Sequence, residues 1–126
     1  MARRNSSYLS TAQTIKKLRE IGEHVVNAAK KALEEGANQV KDTAKQNCPI
    51  RTGKLRDSIK ATPQRGGATY KISADAFNDK GVNYGRIVEY SPRINRPFMY
   101  PALETNRAQI YNNIKGAIKE AVDRGH

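Results

Sequence analysis

The side chains able to do chemistry are few, and their spacing decides which reactions stay open. The thiol and imidazole inventory is Cys48, His24 and His126. A catalytic thiol needs a neighbouring base or a positive local field, together with access. No histidine lies near Cys48 in the sequence, which reads as a small buried apolar residue. His24 and His126 have no partner ligands at zinc spacing, and His24 reads as a rim residue on a helix. A single cysteine excludes an internal disulfide framework. The twelve acidic residues are scattered without a metal-loop pattern. Glu89 is the best placed of them for a general base, but its setting suits an ion pair or hydrogen bond that fixes Arg96 or a neighbouring chain. Gly66-Gly67 lacks the Gly-x-x-x-x-Gly-Lys spacing of a phosphate loop and precedes a strand pattern, so it reads as a turn. The inventory therefore predicts no enzymatic activity, no cofactor, no metal and no small-molecule substrate.

Charge leaves binding open. The 126-residue chain carries a formal net charge of +11. The excess is spread along it, +4 over residues 1–50, +6 over 51–96 and +1 over 97–126. Diffuse positive charge fits a DNA contact, an acidic partner surface or solubility. A basic nucleic-acid-binding protein is accordingly the alternative to any structural role. No apolar run approaches the roughly 18 residues needed to span a membrane. Basic residues near the N-terminus are not followed by the apolar segment of a signal peptide, which points to an intracellular protein or one assembled inside a cell.

The elements that would position these groups follow from periodicity. Residues 1–9 are polar and read as a flexible arm, with one domain over 10–126. Ser10 and Gln13 form a capping-box pattern at a helix start. From there Ile15, Leu18, Gly22, Val25, Ala29, Ala32, Gly36, Val40 and Ala44 recur at spacings of three and four. They predict one helix to about Gln46, roughly 54 Å long. The stripe is made mostly of small residues, so Gly36 marks either a break or a close approach of another backbone. A helix that long leaves apolar surface for a partner subunit. Cys48-Pro49 ends it. Alternation over residues 58–64 and 70–74 around Arg65-Gly66-Gly67 predicts a β-hairpin. A third strand or helical turn is expected over 84–90. Leu103, Ile110, Ile114, Ala117, Ile118 and Ala121 predict a last helix from Pro101 to about Asp123. The fold class is α+β: a long N-terminal helix, a small antiparallel sheet of three to four strands, and a C-terminal helix packed on the sheet.

Between Tyr84 and Glu104 the chain concentrates aromatics and prolines. Prolines 92, 97 and 101 exclude helix through most of it and push Ser91, Arg96 and Tyr100 towards extended backbone. It reads as a stiff connector leading into the last helix.

Two blocks carry a resemblance. Pro49-Ile50-Arg51-Thr52-Gly53-Lys54-Leu55-Arg56-Asp57-Ser58 is similar to a Pro-x-x-Thr-Gly-x-Leu-x-x-Ser pattern that follows a long helix. Tyr84, Val88-Glu89-Tyr90 and Arg96-Pro97-Phe98-Met99-Tyr100-Pro101-Ala102 are similar to a Tyr-Ala…Val-Glu-Phe-Gly and Arg-Pro-Phe-(x)-x-Pro-Ala pattern. In this order and separation they resemble the head–tail joining or tail-completion proteins of the tailed-bacteriophage neck. The chain departs from that pattern at Gly85, in place of alanine, and at Ser91-Pro92, in place of glycine. The resemblance implies a virion structural protein, assembled in the host bacterial cytoplasm into a homo-oligomeric ring, a hexamer. The ring would meet the portal-complex and tail-tube proteins, with DNA passing through its lumen. Its motif and subunit-interface residues would be Thr52, Gly53, Leu55, Arg56, Tyr84, Glu89, Tyr90, Arg96, Pro97, Phe98 and Pro101. Thr52-Gly53 would shape the turn that Leu55 anchors, and Arg96-Pro97-Phe98 with Pro101 would lock the entry to the last helix.

Overall fold

The apolar stripe does form helix, but Gly22 divides it. The computed structural model describes residues 6–48, 54–76, 83 and 98–124. A short helix α1 spans Ala12–Leu18 and a long helix α2 spans Glu23–Asn47. Between them the amides of Ile21 and Gly22 both bond back to the Leu18 carbonyl, at 3.0 and 3.2 Å, closing α1. Gly22 then adopts φ 153°, ψ 156°, a backbone state that side chains rarely reach. A Cβ there would lie 2.9 Å from the His24 ring. The break is thus at Gly22, whereas Gly36 sits unbroken in the middle of α2.

The helix start also differs from the capping-box expectation. The N-cap of α1 is Thr11, with no side-chain capping bond. Ser10 Oγ accepts from the Ala12 amide at 3.3 Å but also pairs with Thr69 Oγ1 at 2.8 Å, and Thr11 Oγ1 donates to the Ala68 carbonyl at 3.0 Å. These hydroxyls are spent on the sheet because residues 6–10 belong to it. Ser6–Ser10 is strand β1, where a flexible arm over 1–9 was expected. Only Leu9 of the five is buried, so the strand shows almost no apolar alternation to read; it is held by backbone pairing to a neighbouring strand.

That neighbour comes from the hairpin. Strand β2 is Ile59–Gln64 and β3 is Thr69–Ala74, joined by a single 3₁₀ turn at Arg65–Gly67 with Gly66 at φ 66°. The sheet order is β1-β3-β2, antiparallel throughout. The third strand is therefore supplied by the N-terminal residues; the one expected over 84–90 lies outside the described residues. A one-turn helix α3, Lys54–Asp57, precedes β2.

The last helix α4 runs Met99–Arg124. It starts two residues before Pro101, which remains inside the first turn, where a missing N–H has no intrahelical acceptor to lose. α2 packs on all three strands, and α4 runs antiparallel along α2 and reaches the sheet at β1. The fold is α+β, with the helices and one sheet face enclosing a core that includes Leu9, Val25, Leu33, Val40, Ile72, Phe98, Met99 and Ile110. Each such large side chain contributes about 1.5–3 kcal/mol by leaving water.

Candidate functional site

Of the motif residues, Leu55, Arg56, Phe98 and Pro101 are described. Leu55 on α3 is buried, and Phe98, just before α4, has no exposed surface. Both belong to the core cluster that also holds Cys48, Ile59, Met99 and Ala102. The Ser58 hydroxyl donates to the Leu55 carbonyl at 2.6 Å and stops α3 after a single turn. Arg56 faces solvent and Pro101 is half-buried. Tyr100 is 60% exposed between two buried neighbours, Met99 and Ala102 by way of Pro101. Thr52, Gly53, Tyr84, Glu89, Tyr90, Arg96 and Pro97 lie outside the described residues.

The α2–α4 contact has a geometry that the sequence reading missed. At Gly36 the two helices come so close that an added Cβ would meet Ile110 Cγ2 at 2.5 Å. One turn along, Asn106 is buried between the helices. Its Oδ1 accepts from Gln39 Nε2 at 2.8 Å, and its Nδ2 donates to Thr43 Oγ1 at 3.1 Å and to the Ala102 carbonyl at 2.7 Å. Both donors and one acceptor site of the amide are used, so it avoids the cost of a buried unpaired group. The signal was present: Asn106 lies three residues after Leu103 and four before Ile110, on the apolar stripe itself.

Towards the other end of the pair the packing opens. The N-terminal half of α2 and the C-terminal half of α4 flank an open cleft of about 450 Å³, lined among others by His24, Lys31, Glu35, Glu120 and Arg124. Its walls carry both signs, and Arg124 is hydrogen-bonded to Glu120 within α4. His24 Nε2 is buried there without a hydrogen-bond partner. Ile21, at the α1–α2 elbow, and Val122 are both exposed at this end, 54% and 41%.

Elsewhere, the Tyr70 hydroxyl on β3 donates to Glu34 Oε2 on α2 at 3.3 Å, and Asn83 Nδ2 donates to Asp75 Oδ1 at 2.7 Å. Burial, followed by the negative charge of Glu34 and the hydrogen bond to it, raises the Tyr70 pKa above the usual 10.0. Among the described residues no group of three or more His, Cys, Asp or Glu could hold a metal ion. None of their helices is long and apolar enough to cross a membrane. Cys48 is buried. The arrangement is one of packing surfaces, with no nucleophile, base and orienter converging among the described residues.

A family model described as "Bacteriophage HK97-gp10, putative tail-component" matches residues 12–90. That span takes in α1, α2, the first motif block, the hairpin and the Val88-Glu89-Tyr90 part of the second block. No curated protein and no solved structure matches the chain.

Proposed function

The chain belongs to the HK97-gp10-like family of bacteriophage tail components, and from that premise we propose that it is a structural protein of the neck that closes into a ring joining or completing the tail. The role is assembly rather than catalysis. The partners are further copies of the chain, in a hexameric ring, together with portal-complex and tail-tube proteins, and the location is the virion. The family membership supports the phage setting. The observation that carries a subunit contact is the open end of the α2–α4 pair. There the cleft is bordered by Ala28, Ala117 and Ala121, and Ile21 before α2 and Val122 near the end of α4 stand exposed. Such a surface, apolar at its edges and mixed in charge, suits a head-to-tail contact, and head-to-tail contacts that close generate cyclic symmetry. The motif residues Thr52, Gly53, Tyr84, Glu89, Tyr90, Arg96 and Pro97 are proposed as turn-shaping and interface positions beside the anchors Leu55 and Phe98.

Native mass spectrometry and negative-stain imaging of the purified protein test this reading. The expected result is one ring-sized species at high concentration, lost in an Ile21→Ser/Val122→Ser variant that keeps its helical circular dichroism. A wild-type protein that stays monomeric, and that also fails to bind portal-complex or tail proteins, overturns it.

A further inference from the structure

The excess positive charge is not on the long helices. α2 carries four basic and four acidic side chains, and α4 carries four and three. Their surfaces interleave both signs, as in the exposed Arg107–Glu104 pair at 3.5 Å. The sheet is different. From Ile59 to Ala74 the charged residues are Lys60, Arg65 and Lys71, with no carboxylate among them.

Register places these charges. Leu9, Tyr70 and Pro63 lie in one cross-strand row, Ile72 and Ala61 in another, and Tyr70 reaches α2 through Glu34. This is the face turned to the core. The alternate rows are Tyr8–Lys71–Thr62, Ser6–Ser73–Lys60 and Ser10–Thr69–Gln64. The opposite face is thus built from hydroxyls, an amide, a phenol and two ammonium groups, with no aliphatic side chain. Tyr8 is 54% exposed, Lys60 and Thr62 are exposed and Lys71 is half-exposed. Lys60 and Lys71 occupy diagonal positions, roughly 7–8 Å apart at the backbone. Arg65 adds a third exposed cation at the hairpin end.

We propose that this outer sheet face, through Lys60, Lys71, Arg65, Tyr8 and Thr62, contacts the phosphate backbone of duplex DNA. Ammonium, guanidinium and hydroxyl donors are the groups that bind phosphate oxygens without reading sequence. A protein partner would call for an apolar centre in the patch, and among the described residues this face has none. Single-stranded nucleic acid would call for several aromatic platforms, and among the described residues the face offers only Tyr8. The contact rests on the tail-component reading only for the source of its DNA, the duplex that would pass through a neck ring.

The test is fluorescence anisotropy of a labelled random-sequence duplex with the full chain, titrated across a range of salt concentrations. Wild type should bind with an affinity that falls steeply with log salt. Lys60→Ala/Lys71→Ala should weaken binding roughly tenfold near 0.1 M salt and lower the salt slope by about two. Lys115→Ala/Lys119→Ala, two exposed lysines on α4, removes the same charge and should leave the slope nearly unchanged. Equal losses in both variants would assign binding to bulk charge and overturn the proposal. So would wild-type protein that ignores duplex while binding polyglutamate, the mark of an acidic protein partner, or one that prefers a single strand. Ring formation is read separately by native mass spectrometry, so rings whose DNA binding is indifferent to Lys60 and Lys71 would sink this contact alone.

Discussion

The closest approach between α2 and α4 makes Gly36→Ala a demanding test. In a solvated helix interior this substitution stabilises by about 1 kcal/mol, because glycine has the larger backbone entropy to lose. Here the new Cβ would stand 2.5 Å from Ile110 Cγ2 and 3.2 Å from its Cγ1. Ile110 is fully buried and β-branched, so it has one preferred rotamer in a helix and no free direction in which to swing. Overpacking of this kind costs about 1–3 kcal/mol. The helix gain offsets part of that, leaving a net loss of up to about 2 kcal/mol and a Tm lower by up to roughly 8 °C. Urea unfolding followed by circular dichroism measures it. The decisive arm is the double variant. Ile110→Ala alone should cost about 2–5 kcal/mol by opening a cavity. In that background Gly36→Ala should turn stabilising by about 1 kcal/mol, a coupling of about 1–3 kcal/mol between the two sites. If Gly36→Ala stabilises the wild-type chain, the helices do not meet at this distance and the reasoning fails.

Two further outcomes follow from the polar contacts. Asn106→Ala strips the acceptor from the Gln39 amide and one of two partners from Thr43 inside the α2–α4 contact and should cost about 1–3 kcal/mol in the same unfolding assay; no loss would mean that the amide is not buried as the contact requires. Tyr70 should give stability a high-pH limit. Its folded pKa is raised above the unfolded 10.0, so its contribution is complete below pH 10.0 and is lost as pH rises through the folded value. Unfolding free energy measured from neutral to strongly alkaline pH should decline more gently in Tyr70→Phe than in wild type, and identical profiles would refute the assignment.

The helices and the hairpin were legible because their apolar periods are long and regular. Val25 to Ala44 keep one face of α2, and Tyr70, Ile72 and Ala74 alternate after a glycine turn. The two stripe glycines show where that kind of reading stops. Gly22 and Gly36 occupy equivalent places in the pattern, yet one breaks the helix and the other receives Ile110. What separates them is a side chain far away in sequence, which periodicity cannot supply. β1 was illegible for a related reason. With Leu9 as its one buried residue it has no pattern of its own and exists through β3. In the first motif block Leu55 was readable as an apolar residue returning to the core beside a turn, and it is in the core; Phe98, which the resemblance gives as part of the entry to the last helix, is buried there too. The amide layer at Asn106 was passed over because a polar residue on an apolar stripe reads as a flaw in the pattern rather than as a pair of helices fixed in register.

The two ends of the α2–α4 pair therefore have different physical jobs. At the Gly36 and Asn106 end, close packing and a satisfied amide leave little freedom for sliding, because a shift of one helix would drive Ile110 against backbone and unpair the two interhelical hydrogen bonds of Asn106 at once. At the His24 and Arg124 end the stripe of α4 continues through Ala117, Ile118 and Ala121, but these residues are only partly covered. A register fixed at one end holds that uncovered surface in a set position at the other. In the ring proposed above, contact with identical copies would gain from this arrangement. The entropy of ordering the docking surface is already met within the subunit, and less of it opposes association. Disturbance at the locked end should thus be felt first as lost stability, and disturbance at Ile21 or Val122 as lost assembly with the fold intact.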